Sequence, residues 1–279
     1  MIKNIEDWLE KSGYPLELYA NKILREKGFQ CSKSDLFVDP DTKSSREIDT
    51  IAVYWDSDVE GFTVELKLIL ECKKSEKPLV ALNTSDYKKS LFYKTFSRLF
   101  GTSFQEISLE CLNYLRGRDE KKVCDEIGVC GQVKEVNYSI VQAFKNSDIQ
   151  IYQGLMSLVK AKHYHSSDFE ELFKTIQSNS SSQDDKNLYE VILPILVIDA
   201  PLFVARLNSE GKMDVFDSMY EIVDVRRSSS IEDDVSDSVY IVHKDFLDEF
   251  ITDVLKMYNL IVSEQIGVKA LRRAGRLNN

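Results

Sequence analysis

Glu71 and Lys73 stand two residues apart in the run V-E-L-K-L-I-L-E-C-K-K-S, and Asp49 opens the run D-T-I-A-V-Y-W that precedes it. In an extended strand successive side chains point to opposite faces. Glu71 and Lys73 therefore share a face, while Cys72 points the other way with Leu68 and Leu70, into a core. Ile69 precedes Glu71 on its face, so the two charges sit at the end of an otherwise buried strand. If the two strands pair as a hairpin, Asp49, at the start of one, lies beside the end of the other. Two carboxylates and an ammonium then converge at one edge of the sheet. Carboxylates crowded in a partly desolvated place repel, and one of them is driven toward its protonated form. A hard divalent cation relieves that, and Mg²⁺ prefers one or two carboxylates together with waters and phosphate oxygens. Such a cation can activate water near neutral pH, polarise a phosphoryl oxygen and stabilise a leaving oxygen. The lysine can orient or deprotonate the attacking water and offset charge in the transition state. The bland alternative is that Asp49 is a turn residue and Glu71 with Lys73 an exposed pair ending an edge strand, since an isolated E-x-K recurs in most proteins.

Several elements must position these residues. Residues 3–12 read as a short amphipathic helix ending at S-G-Y-P. A second helix follows, with Pro15 at its first position and Gly28 at its C-terminal cap. Its residues Leu16, Tyr19, Ala20, Ile23 and Leu24 recur at helical spacing, so one face packs on a core. Strands are expected over Phe29 to Val38, Glu47 to Trp55 and Phe62 to Lys73, the last two joined through D-S-D-V-E-G. After Asp49 both faces of the second strand are apolar, the mark of a central strand covered on both sides. Residues 80–135 read as a basic, aromatic-rich helical insertion, and Tyr138 to Lys162 as a long helix. Gln177 to Asn187 is polar and reads as a loop. Strands resume at Tyr189 to Ile198, Leu202 to Leu207, Tyr220 to Val225 and Val239 to Val242, before a final helix over Asp245 to Ile261. Helix, strands, helix, strands, helix implies an α/β sandwich around a mixed sheet, in a single domain spanning 1–279.

Composition narrows the function. The longest apolar run, Val191 to Ile198, contains Pro194 and reads as a buried strand, so no membrane span is expected. The start M-I-K-N-I-E-D-W has no secretory character, which makes a cytoplasmic location the expectation. Cys31, Cys72, Cys111, Cys124 and Cys130 form an odd, scattered set that suits buried thiols better than a disulfide framework or a zinc site. The net charge is −10, which taken alone disfavours a nucleic-acid partner. The charge is segregated, however. Cys72 to Lys122 holds 11 Lys/Arg against 6 Asp/Glu, and Val268 to Asn279 holds Lys269, Arg272, Arg273 and Arg276 with no acid. Lys74, Lys77, Lys88 and Lys89 are the candidate phosphate contacts. The run from Tyr87 to Arg98 interleaves bases and aromatics, as phosphate contact plus base stacking would use. The same types also build an amphipathic helix with its aromatics inward.

G-Y-P-L-E (Glu17), R-E-I-D (Asp49) and E-C-K (Glu71, Lys73) together resemble the PD-(D/E)xK, or restriction-endonuclease-like, nuclease superfamily. Its pattern is a helix carrying an acid, a strand opening on Asp, and a strand ending in (D/E)-x-K. Ile48-Asp49 replaces the literal Pro-Asp. The likeness covers residues 13–75. It implies a restriction-endonuclease-like core, a mixed central sheet flanked by helices. It also implies that Asp49, Glu71 and the Cys72 carbonyl hold Mg²⁺, with Mn²⁺ able to substitute, that Lys73 is the catalytic lysine, and that Glu17 positions a metal-bound water or a second metal. Some branches carry a glutamine on a following helix, a place that Gln142 or Gln153 could fill. The function implied is Mg²⁺-dependent DNA hydrolysis, in restriction, anti-phage defence or repair, by a homodimer or within a larger complex. The alternatives are RNA cleavage at the same site and a catalytically silent subunit acting as an interaction module, since fold does not settle function.

Overall fold

The computed structural model describes residues 1–55, 62–83, 88–90, 125–130, 132–144, 149–179, 187–227 and 235–262. Helices α1 (Ile2–Lys11) and α2 (Tyr14–Glu26) lead into strands β1 (Gln30–Val38), β2 (Ser45–Trp55), β3 (Phe62–Lys74), β4 (Leu79–Asn83) and β5 (Lys88–Ser90). A 3-10 turn at Gly128–Cys130, β6 (Val133–Glu135), β7 (Ser139–Gln142) and the 31-residue helix α3 (Ile149–Asn179) follow. The chain then forms β8 (Asn187–Asp199), β9 (Leu202–Leu207), β10 (Met213–Asp217), β11 (Tyr220–Arg227), β12 (Val235–His243) and α4 (Leu247–Val262).

The main sheet has six strands in the order β1-β2-β3-β8-β12-β11. β2 and β3 are antiparallel, whereas β3–β8 and β8–β12 are parallel, so the sheet is mixed as expected. Both faces are covered. Leu68, Leu70 and Cys72 pack with Leu24 of α2 and Phe250 and Tyr258 of α4 on one face. Ile51, Ile69, Leu196 and Ile241 pack with Leu155, Leu158 and Val159 of α3 on the other. Central β8 is accordingly apolar without alternation from Val191 to Ile198. Pro194 is tolerated there because the ladder to β12 begins only at Ile195. No helix among the described residues is long and apolar enough to cross a membrane.

A four-stranded sheet, β10-β9-β4-β7, continues beyond the C-terminal ends of β3 and β8. Both strands step into it side by side: β3 leads to β4, β8 to β9, and the two successors pair in parallel. This sheet changes two sequence expectations. The helix foreseen from Tyr138 begins at Ile149 and runs on to Asn179, because Ser139–Gln142 is strand β7, paired with β4. The segment 80–135, expected to be helical, contributes strands β4, β5 and β6 as well as helical residues 125–126 and the 3-10 turn Gly128–Cys130 where it is described, and the rest, including the aromatic run and Cys111 and Cys124, lies outside the described residues. Isolated-segment patterning reads 139–142 and 79–83 poorly because their partners are distant in sequence. The basic stretch 268–279 also lies outside the described residues.

Candidate active site

Helix α2 is tied to the start of β2 by one buried polar contact. Asn21 of α2 donates from Nδ2 to Thr50 Oγ1 (2.7 Å) and to the Glu17 carbonyl (2.9 Å). Thr50 and Asn21 are both buried. The contact fixes α2 one residue away from Asp49 and so sets where Glu17, four residues before Asn21, can stand. Pro15 opens α2, and Gly28, at φ +90°, ends it as expected, with the Phe29 N–H returning to the Leu24 carbonyl at 3.0 Å. Tyr19, expected on the core face, is exposed.

The β2–β3 ladder runs from Trp55 opposite Glu65 to Thr50 opposite Leu70. Beyond it the Asp49 side chain takes over: Oδ2 accepts the Cys72 N–H at 2.7 Å. That bond orients Asp49 against the end of β3 and leaves Oδ1 to other partners. Glu71 and Lys73 share the face toward α3, and Cys72 points into the opposite core with Leu68 and Leu70, as the alternation predicted. Lys73 Nζ donates to Glu71 Oε1 at 2.5 Å. Glu71 is only 8% exposed, and its Oε2 has no hydrogen-bond partner among the described residues. An orphaned buried carboxylate oxygen is costly unless a cation or a proton meets it.

The electrostatics agree with the geometry. Burial, and then the Asp49 charge, push the Glu71 carboxyl up to about 7 against the pull of Lys73. Burial also raises Asp49, with the Cys72 N–H and Lys73 opposing. Glu17 is raised by burial and by Asp49, which places it in the same field. Burial lowers Lys73, but Glu71 and Asp49 outweigh it and raise the ammonium above its ordinary value. Lys73 is therefore a fixed cation near neutral pH.

These groups open onto a cleft of about 1080 Å³. Glu17, Asp49, Glu71, Cys72, Lys73 and Lys74 all line it. Of the two glutamines, Gln153 of α3 lines the cleft, whereas Gln142 on β7 is buried and donates to Ser75 Oγ. Lys74 lies at the rim, donating to the Glu10 carbonyl at 2.6 Å. Lys77 is exposed on the β3–β4 connection and does not line the cleft. Lys88 and Lys89 lie on β5, paired with Glu135 and Lys134 of β6 rather than on a helix.

Sequence reasoning missed Asn21 and Gly154. Buried Gly154 of α3 lets the helix approach so closely that a Cβ there would meet Lys73 Cε at 3.3 Å and Glu71 Cγ at 3.5 Å. A glycine inside a long helical pattern was the available signal for such a close approach.

Among the described residues no group of three or more His, Cys, Asp and Glu is gathered tightly enough to enclose a metal by itself. A cation such as Mg²⁺ does not need that, since it takes one or two carboxylates and completes its shell with water and substrate oxygens. The orphaned Glu71 Oε2 beside Asp49, at the wall of an open cleft, fits that mode. Comparison with protein-family profiles, with curated proteins and with solved structures yielded no match.

Proposed function

We propose that the chain is a Mg²⁺-dependent nuclease that hydrolyses phosphodiester bonds of DNA at the Asp49–Glu71–Lys73 cluster. The observation that carries this reading is the buried Glu71 carboxylate, raised to about 7, with one oxygen unpartnered beside Asp49 and above an open polar cleft. Asp49, Glu71 and the Cys72 carbonyl would hold the cation, and Mn²⁺, which takes the same hard ligands, would substitute for it. When bound, the cation would supply a water activated near neutral pH and positive charge against the phosphoryl oxygens. Its arrival requires Glu71 to be ionised, so loading is favoured above neutral pH.

The chain's own residues do the rest. Lys73, a permanent cation, donates a hydrogen bond to the incoming water or to a non-bridging phosphoryl oxygen, and offsets the charge that develops there. Its raised pKa suits it to orienting a water rather than to taking a proton from one. Glu17, close enough to feel Asp49, accepts a hydrogen bond from water on the α2 side of the cleft. Water adds at phosphorus and gives up a proton to solvent, one P–O ester bond breaks, and the departing oxygen takes a proton from solvent.

Six acids and five bases line the cleft, so a polyanion is not attracted by the protein alone. This balance supports a divalent requirement for binding as well as for chemistry. It also supports a second reading, a catalytically silent subunit acting as an interaction module. Incubating DNA, and RNA in parallel, with the wild type and Lys73→Ala in Mg²⁺ and in chelator separates the readings. Cleavage by the wild type that Lys73→Ala and chelation each abolish is expected for a nuclease. Equal cleavage by both proteins, or none by either, favours the interaction module, and cleavage of RNA alone assigns the other sugar.

A further inference from the structure

We propose that Arg46 is a phosphate-binding residue, gripping the substrate backbone a few nucleotides from the bond that is cut. The assignment rests on the nuclease reading above and adds a contact at a residue to which the resemblance gives no role and which is not among the lysines singled out in the sequence.

Arg46 and Lys160 stand on the cleft wall contributed by the β1–β2 hairpin and α3. Their chemistry is arranged around Asp39, which is 2% exposed. The Asp39 carboxylate accepts the backbone N–H groups of Asp41 (2.9 Å) and Thr42 (3.2 Å), which holds the hairpin turn in shape. Lys160 Nζ is committed to this turn, 2.9 Å from Asp39 Oδ2 and 3.0 Å from Asp41 Oδ2. Arg46 is not. It touches Asp39 only through Nε, at 3.5 Å, its side chain is 55% exposed, and no other partner meets it among the described residues. The contact engages Nε and leaves the outer edge of the guanidinium, with its paired N–H donors, uncommitted on a residue that lines the cleft. That planar edge matches two oxygens of one phosphate, a fit that a point charge such as an ammonium lacks.

The position suits the chemistry. Arg46 precedes Asp49 by three residues of β2, about 10 Å along an extended strand. That distance corresponds to a few nucleotides at about 3.4 Å of axial rise each. Lys74 also lines the cleft, past Glu71 and Lys73 on β3, and because β3 runs antiparallel to β2 it lies on the same side of the Asp49–Glu71 pair as Arg46. A backbone that leaves the Asp49–Glu71 pair on this side of the sheet meets both cations.

The test is fluorescence anisotropy of labelled single-stranded and duplex DNA, and of RNA, with Ca²⁺ in place of Mg²⁺, across a salt series. The proteins are the wild type, Arg46→Ala, Arg46→Lys and Lys212→Ala, the last removing an exposed charge on the distant β9–β10 turn. Arg46→Ala is expected to weaken binding about tenfold whatever the base sequence, and to lower the slope of log K against log salt by about one. Arg46→Lys should recover the slope but only part of the affinity, and Lys212→Ala should match the wild type. Asp39 keeps Lys160 in every variant, so melting temperatures should agree. Equal affinity and slope for Arg46→Ala and wild type overturn the assignment while leaving the nuclease reading in place. A wild type that binds no nucleic acid and cuts none overturns both.

Discussion

Strand β3 carries E-x-K twice on one face, Glu65–Lys67 and Glu71–Lys73, and the two copies meet different fates. At the first, Lys67 lies 3.0 Å from Glu65 and also pairs with Glu190, which β8 places directly opposite Glu65. The Lys67 side chain is 12% exposed, and no buried oxygen of that triad lacks a partner. At the second, Lys73 faces Glu71, Asp49 and Glu17 across an open cleft, and Glu71 Oε2 is unsatisfied. The spacing is identical and the chemistry is not. A closed ion cluster spends its charge on holding strands together, whereas an open one leaves charge for a ligand.

The largest effects should come from removing the two lysines in turn. Lys73→Met is expected to cut nuclease activity by about 10²–10³-fold, roughly 3–4 kcal/mol of barrier, with little change in stability, because Glu71, already raised to about 7, takes a proton in place of the lost ammonium. Lys67→Met should do the reverse. It removes the ammonium that pairs with both Glu190 and Glu65, and should cost about 3 kcal/mol of stability in urea unfolding while leaving kcat intact. If both variants lose activity and stability together, the contrast between the clusters is false.

The next contrast is in pH. The Glu71 carboxyl is raised from 4.5 to about 7, so across that interval the folded protein binds more protons than the unfolded chain. Stability must then fall as pH rises through it, by at most about 3 kcal/mol. Unfolding in chelator should show that fall in the wild type and not in Glu71→Gln. Asp237, under the same helix α3, is the opposite case. Hydrogen bonds from His163 (2.8 Å) and Lys162 (2.7 Å) overcome its burial and hold it below its ordinary 3.8. Its stabilisation is present above that value and lost as pH falls, so Asp237→Asn should weaken the fold at neutral pH and matter little in acid. A Glu71→Gln curve that parallels the wild type would show that Glu71 is ordinary.

A smaller effect follows from adding Mg²⁺ above neutral pH. At about ten times its Kd the cation should stabilise the wild type by about 1.4 kcal/mol, a rise in Tm of a few degrees for a chain of this size. Asp49→Asn and Glu71→Gln should lose that rise, and Lys67→Met should keep it. A rise of equal size in Asp49→Asn places the cation elsewhere.

The legible and illegible parts divide along sequence separation. Side-chain alternation sufficed to put Glu71 and Lys73 on one face and Cys72 on the other, and the apolar run after Asp49 sufficed to make β2 central. Helix α2 was readable from Pro15 and Gly28, and a mixed α/β arrangement from element order. What could not be read depends on partners far along the chain. β4 and β7 are strands because they pair with each other, and β4 with β9 on its other side. The first E-x-K is closed only because Glu190, more than a hundred residues later, is its neighbour. Asn21 looks like any helix residue until Thr50 is set beside it. Arg46 sat within the motif R-E-I-D, yet nothing local distinguishes a cleft arginine from a solvated one.

The mildest prediction tests whether the open cluster is also a tightly held one. Gly154 is a poor helix former, and alanine at such a position ordinarily stabilises a helix by about 1 kcal/mol. Here the added Cβ would sit 3.3 Å from Lys73 Cε and 3.5 Å from both Glu71 Cγ and Leu196 Cδ1. Helix propensity and crowding then nearly offset, and Gly154→Ala should melt within a degree or two of the wild type. Lys73 would have to shift by a few tenths of an ångström, and since a displacement of about 1 Å can cost about 10²-fold, kcat should fall by roughly tenfold with DNA affinity unchanged. A variant that is more stable and fully active would mean that Lys73 tolerates a range of positions, and that the close approach of α3 serves packing against Leu196 rather than the placement of the ammonium.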